Sequence, residues 1–175
     1  MLRRVLRVLS WVALATAAAC DAGLAPAEAP TSCPKIVFGE KFVGICGTVT
    51  FQGATPDSTD GVFIVAYPTF PTSRADLFNF KPPPPLQSLA QPFVGPQFYT
   101  VQIPNGRYEW VVAVWKKLGP VVEDNLRAAG FYRDKADTSK AGVVIVNGIG
   151  TDSIDFVIDF DNMHPVSYFF LAAKP

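Results

Sequence analysis

Residues 98–117 constrain the fold more than any other stretch, because they join two strand-like segments through a strong turn signal. Val101 and Ile103 alternate with polar residues, which is typical of a strand with one buried face. Residues 104–106, Pro-Asn-Gly, then supply the fixed and positive φ angles that a tight turn needs. Residues 108–115 are largely apolar on both alternating faces. The pattern predicts a β-hairpin whose return strand is central in a sheet and covered on both sides.

The rest of the chain also favours short strands joined by turns, with 16 Pro and 13 Gly among its 175 residues. Residues 61–67 are apolar on both faces and predict a second central strand. Residues 154–160 place apolar side chains at every second position, which indicates a half-buried strand. No internal repeat is present. We therefore predict an all-β fold, a single β-sandwich over residues 32–175.

The N-terminus has the pattern of an export signal. Residues 1–7 are short and positive, the next twelve are uncharged and mostly apolar, and three alanines precede Cys20. The segment resembles the bacterial lipoprotein signal, in which this cysteine is lipidated and becomes the mature N-terminus. Ala17 stands where that signal usually has leucine. The alternative is an ordinary signal peptide followed by a coincidental cysteine.

We therefore expect a signal peptide over residues 1–19, lipidation of Cys20 and a flexible, Ala- and Pro-rich tether over residues 20–31. The expected location is the bacterial cell envelope, with the lipid anchored in a membrane that faces the periplasm or the cell surface.

Charge excludes one class of partner. All 15 acidic residues follow Cys20, whereas three of the 15 basic residues (Arg3, Arg4 and Arg7) precede it, which leaves 12 basic groups and a formal charge of −3. The chain has no basic stripe, so we expect no nucleic-acid partner.

Cys33 and Cys46 are the remaining cysteines after Cys20. Disulfides persist in exported proteins, so we expect one bridge between these two residues; the alternative is two buried free thiols. A bridge over a loop of this size would stabilise the fold by about 3 kcal/mol in the chain-entropy model. Two cysteines without a nearby histidine do not complete a tetrahedral metal site, so we expect no metal there.

Residues 68–97 form an unusually long connection, rich in Pro and Phe. Such a loop is usually functional or disordered, and its aromatic content argues against disorder. Ser73 is placed to cap one helical turn. We favour a loop pinned by its rings over an open end of the core; the alternative is a partner-binding surface. The residues predicted for that surface are Phe70, Phe78, Phe80, Pro83 and Phe93.

Candidate chemistry is sparse. His164 is the single histidine and lies in a turn sequence, where it is a surface residue rather than a catalytic base. Four aspartates (Asp152, Asp155, Asp159 and Asp161) are either the solvated side and end of a strand or oxygen ligands for Ca²⁺, and their spacing fits no EF-hand. We expect no cofactor.

Two tryptophans, Trp110 and Trp115, fall on opposite faces of the same predicted strand. We favour packing of Trp115 beneath the long connection. The alternative is an exposed ring that stacks on a sugar.

Four segments, residues 47–53, 62–67, 99–108 and 154–160, together resemble the carboxypeptidase regulatory-like, transthyretin-like β-sandwiches. That resemblance implies a single immunoglobulin-like or transthyretin-like Greek-key β-sandwich of about seven strands, often carried by exported bacterial proteins. It says little about function. The insertion at residues 68–97 departs from the common pattern.

An enzymatic branch of that group, the 5-hydroxyisourate hydrolases, uses several histidines and a C-terminal tyrosine-arginine-glycine-serine tail. This chain has one histidine and ends Leu-Ala-Ala-Lys-Pro, so it lacks that site. We expect a non-enzymatic, lipid-anchored envelope protein whose sandwich binds or scaffolds another envelope protein. The alternative is a carbohydrate-binding module.

Overall fold

The computed structural model describes residues 30–171. The predicted signal peptide, Cys20 and most of the predicted tether lie outside the described residues, as do the last four residues of the chain.

Within residues 30–171, most of the regular secondary structure belongs to twelve β-strands. They are β1 (Ile36–Val37), β2 (Glu40–Lys41), β3 (Gly44–Gln52), β4 (Thr59–Tyr67), β5 (Gln97–Gln102), β6 (Gly106–Tyr108), β7 (Trp110–Lys117), β8 (Leu126–Phe131), β9 (Val144–Val146), β10 (Gly150–Thr151), β11 (Phe156–Asp159) and β12 (His164–Pro165). Helical structure in residues 30–171 is limited to 3₁₀ turns at Arg74–Phe78 and Glu123–Asn125 and one helix, α1 (Tyr168–Leu171).

Two four-stranded sheets form a sandwich. In the first sheet β3 is central: β5 pairs antiparallel with one edge, and β10 and β11 pair parallel, one after the other, with the opposite edge. In the second sheet the order is β12-β8-β7-β4, with antiparallel pairs throughout. The predicted all-β sandwich is confirmed, with eight strands in the two principal sheets rather than about seven.

The main core lies between the sheets, and it explains the two-faced apolar pattern of β7. Val111, Ala113 and Trp115 point inwards and pack with residues of β3, β4 and β11. Trp110 and Val112 point to the outer face, where they belong to a second apolar cluster. The prediction of a central strand covered on both sides is therefore confirmed.

The predicted hairpin over residues 98–117 is wrong. β5 pairs with β3, with Val101 opposite Ile45, whereas β7 pairs with β4 and β8 in the other sheet. The turn between them carries the chain from one sheet to the other. It is held by Asn105, whose side-chain oxygen accepts a 2.6 Å hydrogen bond from the Gly148 backbone N–H. Alternation fixes which faces are buried, but it does not fix which strands pair.

The long connection over residues 68–97 is ordered along the outer edge of β4. The backbone N–H of Ala66 donates to the Lys81 carbonyl at 2.9 Å, and the N–H of Lys81 donates back to Ala66 at 2.8 Å. Further along, the Leu89 N–H donates to the Val62 carbonyl at 2.8 Å. The connection thus satisfies an edge that would otherwise be open to pairing with another chain.

Cys33 and Cys46 form a disulfide, with their Cα atoms 5.5 Å apart, as predicted. Cys46 is fully buried in β3, so the bridge fastens the beginning of the described chain to the central strand of the first sheet.

Candidate functional site

The outer face of the second sheet carries a second apolar layer, built from outward-pointing residues of β4 and β7. Trp110 is at its centre and is fully buried. Its ring centroid lies 5.0 Å from that of Phe70 in the connection, 5.0 Å from that of Phe169 in α1 and 5.3 Å from that of Tyr67. The connection and the C-terminal segment therefore cover one half of this face.

A buried hydrogen bond fixes the connection to this layer. The Tyr67 hydroxyl donates to the Leu77 carbonyl at 2.8 Å, and burial raises the pKa of Tyr67 well above its ordinary value of 10.0. Leu77 belongs to the 3₁₀ turn Arg74–Phe78, which has Ser73 at its N-cap, as predicted. The Asp76 carboxylate accepts from the Ser73 hydroxyl at 2.9 Å and from the Ser73 N–H at 3.0 Å. The hydrogen bond from the Ser73 hydroxyl, followed by one from the Thr72 backbone N–H at 3.1 Å, lowers the pKa of Asp76.

The other half of the outer face is an apolar groove of about 290 Å³. Its floor includes Phe63 of β4, Val114 of β7 and Leu126 of β8. One wall comes from the connection and the other from the segment between β7 and β8. The wall residues are Leu77, Phe78, Phe80, Pro84 and Leu86 on the first side, and Val121 on the second.

Exposed apolar side chains form the lips of the groove. Phe78 is 59% exposed and Val121 is 61% exposed, although both line the groove. The two walls are joined by an ion pair between Arg74 Nε and Glu123 Oε2 at 2.8 Å. A second ion pair, between Lys116 and Asp60, lies at one end. The site is therefore an open apolar trough with charged groups at its margin.

The structure divides the predicted partner-binding residues into two groups. Phe78 and Phe80 line the groove, and Pro83 is exposed beside Pro84, which also lines it. Phe70 instead packs on Trp110. Phe93 is 4% exposed and lies 5.8 Å from the Phe51 ring in the main core, so its prediction as a contact residue is wrong. Phe70 and Phe93 therefore fit the interpretation that we favoured, a loop pinned by its rings over the core, whereas partner binding through Phe78, Phe80 and Pro83 stays a prediction.

Trp115 is 6% exposed, so its predicted burial is confirmed, but it packs in the main core between the sheets rather than beneath the long connection, whose Phe70 packs on Trp110 instead. The Nε1 of Trp115 donates to the Thr59 hydroxyl at 2.7 Å. The alternative, an exposed ring for stacking on a sugar, is wrong because the surrounding core residues cover the ring. The two-faced pattern of β7 places one indole on each side of the sheet, and both indoles are buried.

The predicted acidic cluster stabilises turns and strand contacts. Asp155 Oδ1 accepts the Thr48 backbone N–H at 2.6 Å. The Asp159 carboxylate accepts from the Asp161 N–H at 3.0 Å and from the Asn162 side chain at 2.7 Å. Residues 30–171 contain no group of three or more His, Cys, Asp or Glu side chains arranged to hold a metal ion.

His164 lies in β12 and stacks on Tyr168, with ring centroids 4.3 Å apart. The stack fastens β12 to α1 at the edge of the second sheet. This is a packing role for the histidine.

Several residues that line the groove were not predicted from the sequence. Val121, Leu126 and Val166 come from segments that the sequence marks only as connections or short strands. One signal could have located them: a strand that is apolar on both faces needs a second layer of cover, to which neighbouring segments must contribute apolar residues.

No family model, no curated protein and no solved structure matches this chain. Within the described part of the chain, no helix has the length and hydropathy needed to cross a membrane.

Proposed function

We propose that this protein is a non-enzymatic, lipid-anchored protein of the bacterial cell envelope, and that its groove binds an apolar segment of another envelope protein. The observation that carries the proposal is the open apolar trough with two exposed apolar lips, Phe78 and Val121. The four sequence segments support the further proposal that the sandwich is of the carboxypeptidase regulatory-like, transthyretin-like kind.

The groove suits a segment that offers a few large apolar side chains. Its volume of about 290 Å³ is just below the usual range for small-molecule pockets, about 300–1,000 Å³. An amphipathic helix binds such a trough through side chains spaced three and four residues apart. Burial of the exposed part of one lip side chain, about three-fifths of it, would contribute roughly 1–2 kcal/mol to binding. Trp115 is buried, so the carbohydrate-binding alternative no longer has this ring as a surface on which a sugar could stack.

The groove proposal is tested by matched surface substitutions. We expect Phe78→Asp to abolish co-purification of the partner from detergent-solubilised membranes. Ile145 is 63% exposed on β9, away from the groove, so Ile145→Asp is the control and should leave the partner bound. Equal recovery of the same partner with both variants would contradict a groove contact.

Anchoring is tested separately. Cys20→Ser should abolish incorporation of labelled palmitate into the protein, whereas Cys33→Ser should leave it intact. Continued labelling of the Cys20→Ser variant would refute lipidation at this position.

A further inference from the structure

The turn of the β1–β2 hairpin holds an exposed phenylalanine in a backbone conformation that this residue rarely adopts. The turn places Phe38 at φ +52 and Gly39 at φ +83, between the paired residues Val37 and Glu40. Two successive positive φ values are typical of a type I′ turn, which favours Asn or Gly at both positions. A phenylalanine in the left-handed region destabilises the fold, because its Cβ crowds the backbone there.

Among residues 30–171, no packing offsets that cost. Phe38 is 99% exposed, and Ile36 on the same hairpin is 65% exposed. The base of the hairpin, in contrast, is firmly held: Phe42 is buried, and its N–H donates to the Lys35 carbonyl at 3.0 Å. A rigid base therefore presents an unpacked aromatic tip to its surroundings, and backbone strain at an exposed tip points to a role outside the fold.

The position of the hairpin in the chain indicates what the tip meets. Twelve residues separate Cys20, the predicted lipidation site, from Cys33, whose disulfide fastens the chain to the body of the domain. A flexible tether of that length has a root-mean-square span on the order of 20 Å. Lys35 and Lys41 are exposed at the base of the hairpin, and Glu40 is the acidic residue among them. The hairpin therefore lies within reach of a membrane and carries a net positive charge.

We propose that the β1–β2 hairpin is a second membrane contact. Phe38 and Ile36 enter the interfacial layer of a phospholipid bilayer, and Lys35 and Lys41 face its anionic head groups. A single aromatic tip binds a bilayer weakly, but the lipid anchor raises its effective concentration at the surface. The inference rests on the anchoring part of the proposed function.

This contact would orient the domain. The hairpin lies at the Gly44 end of β3, where Gly44 approaches Phe42 and Gly150 approaches Cys33. The groove extends along β4 from Asp60 to Tyr67 on the outer face of the second sheet. Its Asp60 end lies at the opposite end of the domain, because Trp115, the neighbour of groove residue Lys116, lines a surface cleft together with Phe160, which follows β11. β3 is nine residues long, so the two ends are separated by about 27 Å. The Asp60 end of the groove would thus be the end farther from the membrane that holds the hairpin.

The test uses the full mature protein in vesicles of phosphatidylethanolamine and phosphatidylglycerol whose acyl chains carry bromine. Phe38→Trp puts a fluorescent reporter at the tip, against a shielded background, because Trp110 and Trp115 are 0% and 6% exposed. Val94→Trp is the control: Val94 is 63% exposed, and its neighbour Phe93 contacts Phe51 and Phe160 at the far end of the domain.

We expect the bromolipid to quench the emission of the Phe38→Trp reporter at least about twofold and to leave the Val94→Trp reporter unchanged. Flotation of the same samples reports the lipid anchor independently. Flotation without quenching at position 38 would overturn the hairpin contact and leave anchoring intact. Flotation and quenching at position 38 that are equal in the Cys20→Ser variant and the wild type would support the hairpin contact and contradict the anchor. The absence of both flotation and quenching would overturn both the hairpin contact and the anchor.

Discussion

The hydroxyl of Tyr67 in β4 donates a 2.8 Å hydrogen bond to the backbone carbonyl of Leu77, ten residues further along the chain. This contact fixes the 3₁₀ turn that forms one wall of the groove. Tyr67→Phe removes the donor and leaves a buried carbonyl unpaired, so we expect a loss of about 1–3 kcal/mol in the free energy of unfolding, measured by urea denaturation. Tyr168→Phe is the control, because Tyr168 is 53% exposed, and it should change stability little.

Alkaline pH should destabilise the domain through its buried tyrosines. Burial raises the pKa of Tyr67 and of Tyr99 above the ordinary 10.0, and the Asp155 charge adds to the effect on Tyr99. The unfolded chain therefore loses these protons first. Their contribution to stability is complete below pH 10 and is lost as pH rises through the raised pKa values.

We expect the urea midpoint to be flat through pH 7–9 and to fall above about pH 10. The combined Tyr67→Phe and Tyr99→Phe variant should show a smaller fall. An equal fall in the variant and the wild type would assign the alkaline loss to other groups.

Reduction of the Cys33–Cys46 disulfide should lower the free energy of unfolding by about 3 kcal/mol, because it frees a loop with a sequence separation of 13. Urea denaturation with and without reductant measures this difference. The variant with both cysteines changed to alanine should have the lower stability and no response to reductant. A wild-type protein insensitive to complete reduction would show that the bridge does not stabilise the fold.

Phe38→Asn should separate stability from membrane contact. Asparagine suits the left-handed position of the β1–β2 turn better than phenylalanine does, so we expect a gain of up to about 1 kcal/mol in the free energy of unfolding. The same variant should bind anionic vesicles more weakly when the lipid anchor is absent. Unchanged vesicle binding would remove Phe38 from the membrane contact, and reduced stability would contradict the strain at this turn.

The sequence predicts the layers of this fold better than its strand pairing. The apolar residues on both faces of 110–115 correctly indicate a central strand, because burial of each face follows directly from a period of two. The turn at residues 104–106 is a local signal that serves an inter-sheet connection as well as a hairpin. Pairing of β5 with β3 depends on contacts between distant segments, which no local pattern reports.

The candidate site is less predictable, for a similar reason. Phe78 and Phe93 look alike in sequence, yet one is 59% exposed at the groove and the other is 4% exposed in the core. The path of the connection along β4 decides between them, and that path is set by backbone hydrogen bonds such as the pair between Ala66 and Lys81. Composition identifies an aromatic-rich loop, but only the three-dimensional path assigns each ring to the core or to the groove.

Site-specific photo-crosslinking in living cells is the first experiment to perform on the groove. A photoreactive amino acid is placed at position 78 or 121, on the two lips, and at position 145 as the control. We predict that both lip positions capture the same membrane protein and that position 145 does not. Identical capture from all three positions, or different proteins from the two lips, would contradict the groove as the binding site.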